Sequence, residues 1–408
     1  MLAATLTACA TAAPPPGAPA PAPAATVVPP KAELRVALFP YIPDVTRDSF
    51  QAFQARLEQE FESAHPEIDL QLRPMNTNDN DFYDTAAVRG WLANGTYDVV
   101  EVDAIMLGDL AAAGVLTPRS AVDSTNWHPG LTPALSYGGV IYGIPHWLCG
   151  DFILSRITDV TNATSSTAIS QALAAAPANQ VKLSGALGGS WTLPALYLHA
   201  YADSHGPAGL AGAISPEIDS TAVQQMRTLL KFCVGNGVNT CLNGTAYPPD
   251  SSVEMYATGR SDAFLGFSER LTAIAMAGGD LSQVRLSPAP LGNDAAGGNL
   301  PVLYVDALVR RQNCDSACRD HASSFEQYLL SDSTYQWMLT SADAPQAKRI
   351  ARYLLPATVS AFNVEGVAGD FHFRDMRAAV TGGVPLPNRN FASTRKSMQA
   401  ALLPLLTQ

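Results

Sequence analysis

The chain has 408 residues, 47% hydrophobic and 15% charged, with 25 Lys and Arg against 36 Asp and Glu for a formal net charge of −11. That length exceeds the roughly 250–300 residues at which a single core stops growing, so two lobes are expected. The acidic balance argues against nucleic acid or an anionic membrane face as partner and mildly favours a cationic ligand, and no apolar run approaches the ~20 residues of a membrane span.

The first thirty residues read as leader and spacer. An apolar stretch ends in Leu6-Thr7-Ala8-Cys9, which looks like a bacterial lipobox, and a Pro/Ala tract follows that behaves as an extended tether. The expectation is an exported lipoprotein anchored through Cys9, with residues 1–32 outside the fold. "LRVALFPYIP" (34–43) predicts a buried strand running into a loop. Phe50, Phe53, Leu57 and Phe61 predict an amphipathic helix stopped by Pro66. "IDLQLRP" and "YDVVEVD" predict strands, the second followed by a helix through "AIMLGDLAAAG". This strand–helix rhythm is that of a parallel sheet with helical crossovers. "GVIYGIP" (139–145) predicts a strand entering a crossing, and residues 159–263 read as mostly helical. Ala263 to Phe267 and "LPVLYVDALVRR" predict two more strands, the first followed at once by a helix start, "CRDHASSFEQYLLSDSTYQWMLT" one amphipathic helix, and the tail is helical.

Of six cysteines, Cys233 and Cys241 flank a flexible loop and Cys314 and Cys318 a shorter one, so both pairs are candidate disulfides in an exported protein. With Cys9 lipidated, Cys149 is left over. It is either an inert core residue or a nucleophile. The chain has no P-loop, dinucleotide fingerprint, His-Glu-x-x-His or Gly-x-Ser-x-Gly, and no Cys-x-x-Cys pair that would favour zinc.

The order of elements, with Tyr97-Asp-Val-Val100, Leu110 to Pro118 and Gly139 to Pro145, resembles the extracellular solute-binding proteins of bacterial transporters. That resemblance implies an α/β, two-lobed, type II periplasmic-binding-protein-like architecture with an interlobe cleft. Lobe 1 is expected over 33–145 plus about 300–345, and lobe 2 over 146–299 plus about 346–408. Within this architecture, six segments in order resemble thiamine pyridinylase (thiaminase I): Phe39 to Asp44, Asp98 to Ile105, Tyr142 to Cys149, Gly266-Phe-Ser-Glu269, Pro301 to Asp306 and Tyr353 to Ala357. Phe39 and Phe267 stand where the family has tyrosine, and residues 160–250 carry little resemblance.

The resemblance implies a cofactor-free and metal-free transferase that replaces the thiazole of thiamine, or of a related pyrimidine, by an amine, pyridine or thiol. Cys149 would be the nucleophile and Glu269 the base. Asp103 and Asp306 would hold the aminopyrimidine, and Tyr41, Tyr83, Phe267 and Tyr304, with the ring of Phe39, would stack on substrate. Local alternatives stand beside these roles: Asp103 as a helix N-cap, and Glu269 as a first-turn acid. His146 and Trp147 read as pocket lining. A monomer is expected, contacting membrane only through Cys9. The competing function is a non-catalytic, lipid-anchored binding protein that carries thiamine or a sugar to a transporter.

Overall fold

The computed structural model describes residues 30–75, 82–120, 122–177, 179–243, 251–293, 299 and 301–407; Cys9 and the leader lie outside them. Two sheets organise these residues. The larger contains β1 (Ala32–Ala37), β2 (Ile68–Leu72), β3 (Val99–Asp103), β4 (Gly143–Gly150), the long β9 (Val302–Arg310), and two-residue strands β10 (Leu355–Pro356) and β11 (Val384–Pro385). The smaller is built from β5 (Phe152–Ser155), β6 (Val181–Gly185), β7 (Ser261–Gly266) and β8 (Arg285–Pro288).

In the large sheet β1 runs parallel to β2 and β3, joined by helix α1 (Gln51–Ala64) and helix α2 (Thr85–Ala93). Phe50 does not join α1; it sits at the N-cap with φ 65°, and Phe53, Leu57 and Phe61 form the buried stripe. β9 enters antiparallel between β3 and β4, and all nine of its residues are buried. A strand covered on both faces must be apolar nearly throughout, so the acid it carries, Asp306, needs another explanation.

The chain leaves the large sheet at Gly150 and enters the small one at Phe152, which puts Cys149 one residue before the end of β4, at the passage between sheets. The expected lobe boundary at 145/146 therefore falls inside β4. That strand stays paired to β9 from Gly143 to Gly150, with an irregularity at His146, so both sides of the expected boundary belong to the large sheet. Residues 355–356, expected in the second lobe, instead extend the large sheet as β10, Leu355 opposite Leu148.

In the small sheet β7 pairs parallel with β6 and antiparallel with β5, and β5 pairs antiparallel with β8. Helix α3 (Thr192–His205) follows β6, and helix α4 (Arg270–Met276) follows β7. The single helix expected across 318–340 is two, α5 (Ser316–Leu329) and α6 (Asp332–Leu339). Ser331 caps the second by accepting from Thr334 N, and a serine offering its oxygen to the next turn ends the first helix. The last helix, α7 (Phe391–Leu406), packs on α3. The candidate disulfides Cys233–Cys241 and Cys314–Cys318 are both formed, and Cys149 is free. Among the described residues no helix is long and apolar enough to cross a membrane.

Candidate active site

Strand register assembles the site. β9 places Tyr304 opposite Cys149 of β4 and, two residues on, Asp306 opposite Asp103 of β3. Residues two apart share a strand face, so Tyr304 and Asp306 point the same way, with a thiol beside one and a carboxylate beside the other. Directly opposed side chains on such strands lie roughly 4.5–5.5 Å apart at Cβ. This row forms the floor of a cavity of about 1470 Å³, larger than the roughly 300–1,000 Å³ of ordinary ligand pockets.

Two aromatic walls rise from the floor. On one side the loop after β1 stacks Phe39 on Tyr41 at 5.3 Å, and Tyr83 meets Phe39 edge-on at 5.4 Å and Trp191 at 4.5 Å. On the other, Phe267 stands edge-on to Tyr304 at 5.7 Å. Phe39, Tyr41, Tyr83, Asp103, Cys149, Phe267, Tyr304 and Asp306 all line the cavity. Glu269 is absent from its lining but sits beneath it, 6% exposed, at the turn between β7 and α4.

The two acids with local alternatives separate cleanly. Asp103 does cap: its Oδ1 accepts from Ile105 N at 3.1 Å while the residue faces the cavity. Glu269 holds the N-cap position of α4 but makes no side-chain cap, and neither carboxyl oxygen has a hydrogen-bond partner among the described residues. A buried, unpartnered carboxyl is costly in a fold and calls for a functional explanation. Burial accordingly raises its pKa, against the nearby Arg270 charge.

The whole floor is electrostatically strained. Burial lifts Asp103 from 3.8 to about 7, and burial followed by the Asp103, Glu101 and Glu269 charges lifts Asp306 well above the usual carboxylate range. Cys149 is pushed well above an ordinary thiol, first by burial and then by Glu269, Asp306, Asp103 and Asp151. Tyr304, its hydroxyl buried without a hydrogen-bond partner among the described residues, is raised by burial and by Asp151 and Asp103. Three or more carboxylates around a thiol form an environment suited to a cation.

Several contributors were not foreseen. Glu101 shares β3 with Asp103 but is spent on structure. One oxygen accepts from Phe39 N at 3.0 Å and the other lies 2.6 Å from His146 Nδ1, both residues almost fully buried. This clamps the loop that carries Phe39 and Tyr41 to β3 and β4, and it corrects the expectation for His146 and Trp147, neither of which lines the cavity. Two residues past Cys149, Asp151 lies 3.9 Å from His199, which is 3.7 Å from Asp203, all buried. Burial opposes protonation of His199, yet Asp203 and Asp151 together raise its pKa. Trp191 comes from the 160–250 stretch with little resemblance, and Arg395 from the tail, read only as helical. The one local signal was Gly188-Gly189 ahead of α3, since a Cβ at Gly188 would lie 1.9 Å from the Leu242 carbonyl oxygen. Among the described residues no cluster of His, Cys, Asp or Glu could hold a metal ion.

Against known proteins, no family model matches the chain. Over 340 residues it is 25% identical to thiaminase-1 of Paenibacillus thiaminolyticus, covering 79% of this chain and 75% of that protein. The chain is similar to thiaminase-1 along most of its length. Thiaminase I of Clostridium botulinum, solved in complex with thiamin, superposes with a TM-score of 0.72 at 17% identity, covering 92% of this chain and all of the other. The GacH receptor of Streptomyces glaucescens, solved unliganded and with acarbose, superposes with a TM-score of 0.63 at 16% identity over 92% of each chain. The fold is therefore the type II periplasmic-binding-protein-like one shared with these structures, and within it this chain carries a free thiol, Cys149, lining the cavity.

Proposed function

We propose that this protein is a thiamine-degrading transferase working through a covalent cysteinyl-pyrimidine intermediate. The observation that carries the proposal is the buried free thiol of Cys149 at the cavity floor, with the unpartnered carboxyl of Glu269 acting on it. The sequence match to thiaminase-1 and the fold shared with a thiamin-bound thiaminase I favour the same chemistry.

Thiamine is a thiazolium joined by a methylene to an aminopyrimidine. Glu269 takes the Cys149 proton, and the thiolate adds to the electron-poor pyrimidine. The methylene–nitrogen bond then breaks with its electron pair going to the thiazolium nitrogen, which leaves as neutral thiazole. The incoming amine, pyridine or thiol adds to the exocyclic methylene carbon. An amine or thiol gives its proton to a carboxylate, the ring regains aromaticity, and Cys149 departs as thiolate. Asp103 and Asp306 hydrogen-bond the aminopyrimidine, and Tyr41, Tyr83, Phe267 and Tyr304 stack on the rings; a cation over such a face is worth about 0.5–2 kcal/mol. No cofactor is needed.

Purified protein incubated with thiamine and aniline or pyridine should release free thiazole, detected by chromatography. Cys149→Ser and Glu269→Gln should each lower the rate by at least about a hundredfold, in the range of a lost nucleophile or base. Retained turnover in Cys149→Ser overturns the mechanism. Saturable thiamine binding with no product in the unmodified protein would instead favour a carrier. We further propose that the chain is a monomer exported as a lipoprotein through Cys9. The two formed disulfides fit an oxidising compartment, and a Cys9→Ala chain that remained in the membrane fraction would refute the anchor.

A further inference from the structure

The cavity has a second electrostatic character at its mouth, on the side of the smaller sheet. Helices α3 and α7 both begin there, with Gly188 to Thr192 from one and Ala392, Ser393, Arg395 and Lys396 from the other in the wall. Neither helix has a hydrogen bond from its own N-cap side chain, although Leu193 N already donates to Gly189 O and Asn390 N to Asp109, and helix N-termini carry partial positive charge. The independent observation is Arg395. It is 8% exposed, it lines the cavity, and its buried Nε has no hydrogen-bond partner among the described residues.

Arg395 is pre-positioned. Its guanidinium lies 3.9 Å over the Trp191 ring and donates from Nη1 to Ser190 Oγ, while no carboxylate forms an ion pair with it among the described residues. Burial pulls its pKa below the usual guanidinium value, with only Tyr83 acting the other way. The exposed Lys396 beside it is likewise without an ion pair there. Acids at the mouth are already engaged: Asp84 accepts from Ala86 N and Ala87 N, and Asp109 from Asn390 N while facing Arg389 at 3.5 Å. A buried guanidinium with a spare donor beside two helix starts is built to take an oxyanion.

We infer that the mouth of the cleft is an oxyanion subsite, formed by Arg395, Lys396 and the first turns of α3 and α7, which recognises an acidic group on one of the two reactants. The inference deepens the proposed transferase function and rests on it for the identity of those reactants. The oxyanion has two chemical sources. One is a phosphate ester on the hydroxyethyl arm of the thiazole, and the other is a carboxylate on an aromatic amine co-substrate. The cavity volume leaves room for both reactants, with carboxylates beneath the cationic centre and the guanidinium at the rim.

The experiment compares thiamine with thiamine monophosphate, each with aniline, and aniline with 4-aminobenzoate, each with thiamine, in the unmodified protein, Arg395→Gln and Lys396→Gln. One acidic reactant should be preferred in kcat/KM by about tenfold or more, identifying the source. Arg395→Gln should bring that ratio near one, and Lys396→Gln, an exposed change that leaves the fold alone, should lower it severalfold. Raising salt should lower it too, as screening demands. No preference for either acidic reactant, or a preference unaltered in both variants, overturns the subsite. Binding of thiamine monophosphate against thiamine, and of 4-aminobenzoate against aniline, by calorimetry on Cys149→Ser supplies the same ratios without turnover. Absence of chemistry with every pair would then sink the transferase function while these binding ratios still decide the subsite.

Discussion

Substituting Asp103 by Asn should make the protein more stable, and increasingly so as pH rises. Asp103 and Asp306 face each other across β3 and β9, buried, so the fold must either keep a proton on the pair or tolerate apposed charges. With Asp103 raised from 3.8 to about 7, the folded state binds more protons than the unfolded chain across that window. Stability from this group therefore falls as pH climbs from about 4 to about 7 and stays low above it. At about 1.36 kcal/mol per tenfold, the full loss is about 4 kcal/mol. Asn removes the charge while its Oδ1 can still accept from Ile105 N, so the cap survives. Asp306, freed of its like-charged neighbour, shifts the same way. Urea unfolding followed by fluorescence at pH 5 and pH 8 checks this: the variant's advantage should grow by several kcal/mol between the two. An advantage equal at both pH values would show that the carboxyls are not strained, and the account of the floor would fail.

His199→Leu should lower stability by about 3–5 kcal/mol, because it removes the imidazole that lies between the buried Asp151 and Asp203; a loss under 1 kcal/mol in denaturant unfolding would mean that the three do not act as a charge cluster. Replacing Cys233 and Cys241 by alanine should cost about 2–3 kcal/mol for opening a loop of sequence separation 8. Thiamine affinity should weaken as well, since Leu242 in the cavity wall follows Cys241 directly, and calorimetry with unchanged affinity would refute that coupling. Glu269→Gln should stop turnover yet accelerate iodoacetamide labelling of Cys149 at pH 9. The neighbouring charge that holds the thiol protonated is then gone, and an unchanged labelling rate would place Glu269 too far away to act as its base.

The strands of the large sheet were readable because burial on both faces makes them near-continuous apolar runs, and an Asp at the end of such a run, as at Asp103, stands out. Asp306 opposite Asp103 was not readable. Register between strands two hundred residues apart is a property of the sheet, decided by how β9 seats between β3 and β4. Arg395 was invisible for a related reason: on α7 it looks like a solvated charge, and only the packing of α7 against α3 brings it over Trp191. Glu101 and Asp103 are both acids on one strand, and alternation alone could not say which was clamped by His146 and Phe39 N and which was left to face a ligand.

As the nucleophile of the proposed transfer, Cys149 would be in the wrong protonation state for attack in the free cleft. Burial and the Glu269, Asp306, Asp103 and Asp151 carboxyls hold it as thiol, so a neutral molecule in the pocket would find no nucleophile. A bound cation reverses the balance. At an effective dielectric of about 20, a unit positive charge about 4 Å away favours the thiolate by about 4 kcal/mol, close to a thousandfold in its population. The positive thiazolium would thus help make the thiolate that displaces it, and neutral pyrimidines would go unattacked for want of charge rather than fit. The hypothesis predicts that a non-reactive cationic thiamine analogue lowers the pKa of Cys149, read from thiolate absorbance near 240 nm in the difference spectrum, while its uncharged isostere leaves it unchanged. Equal effects from the two would show that burial, not charge, keeps the thiol silent.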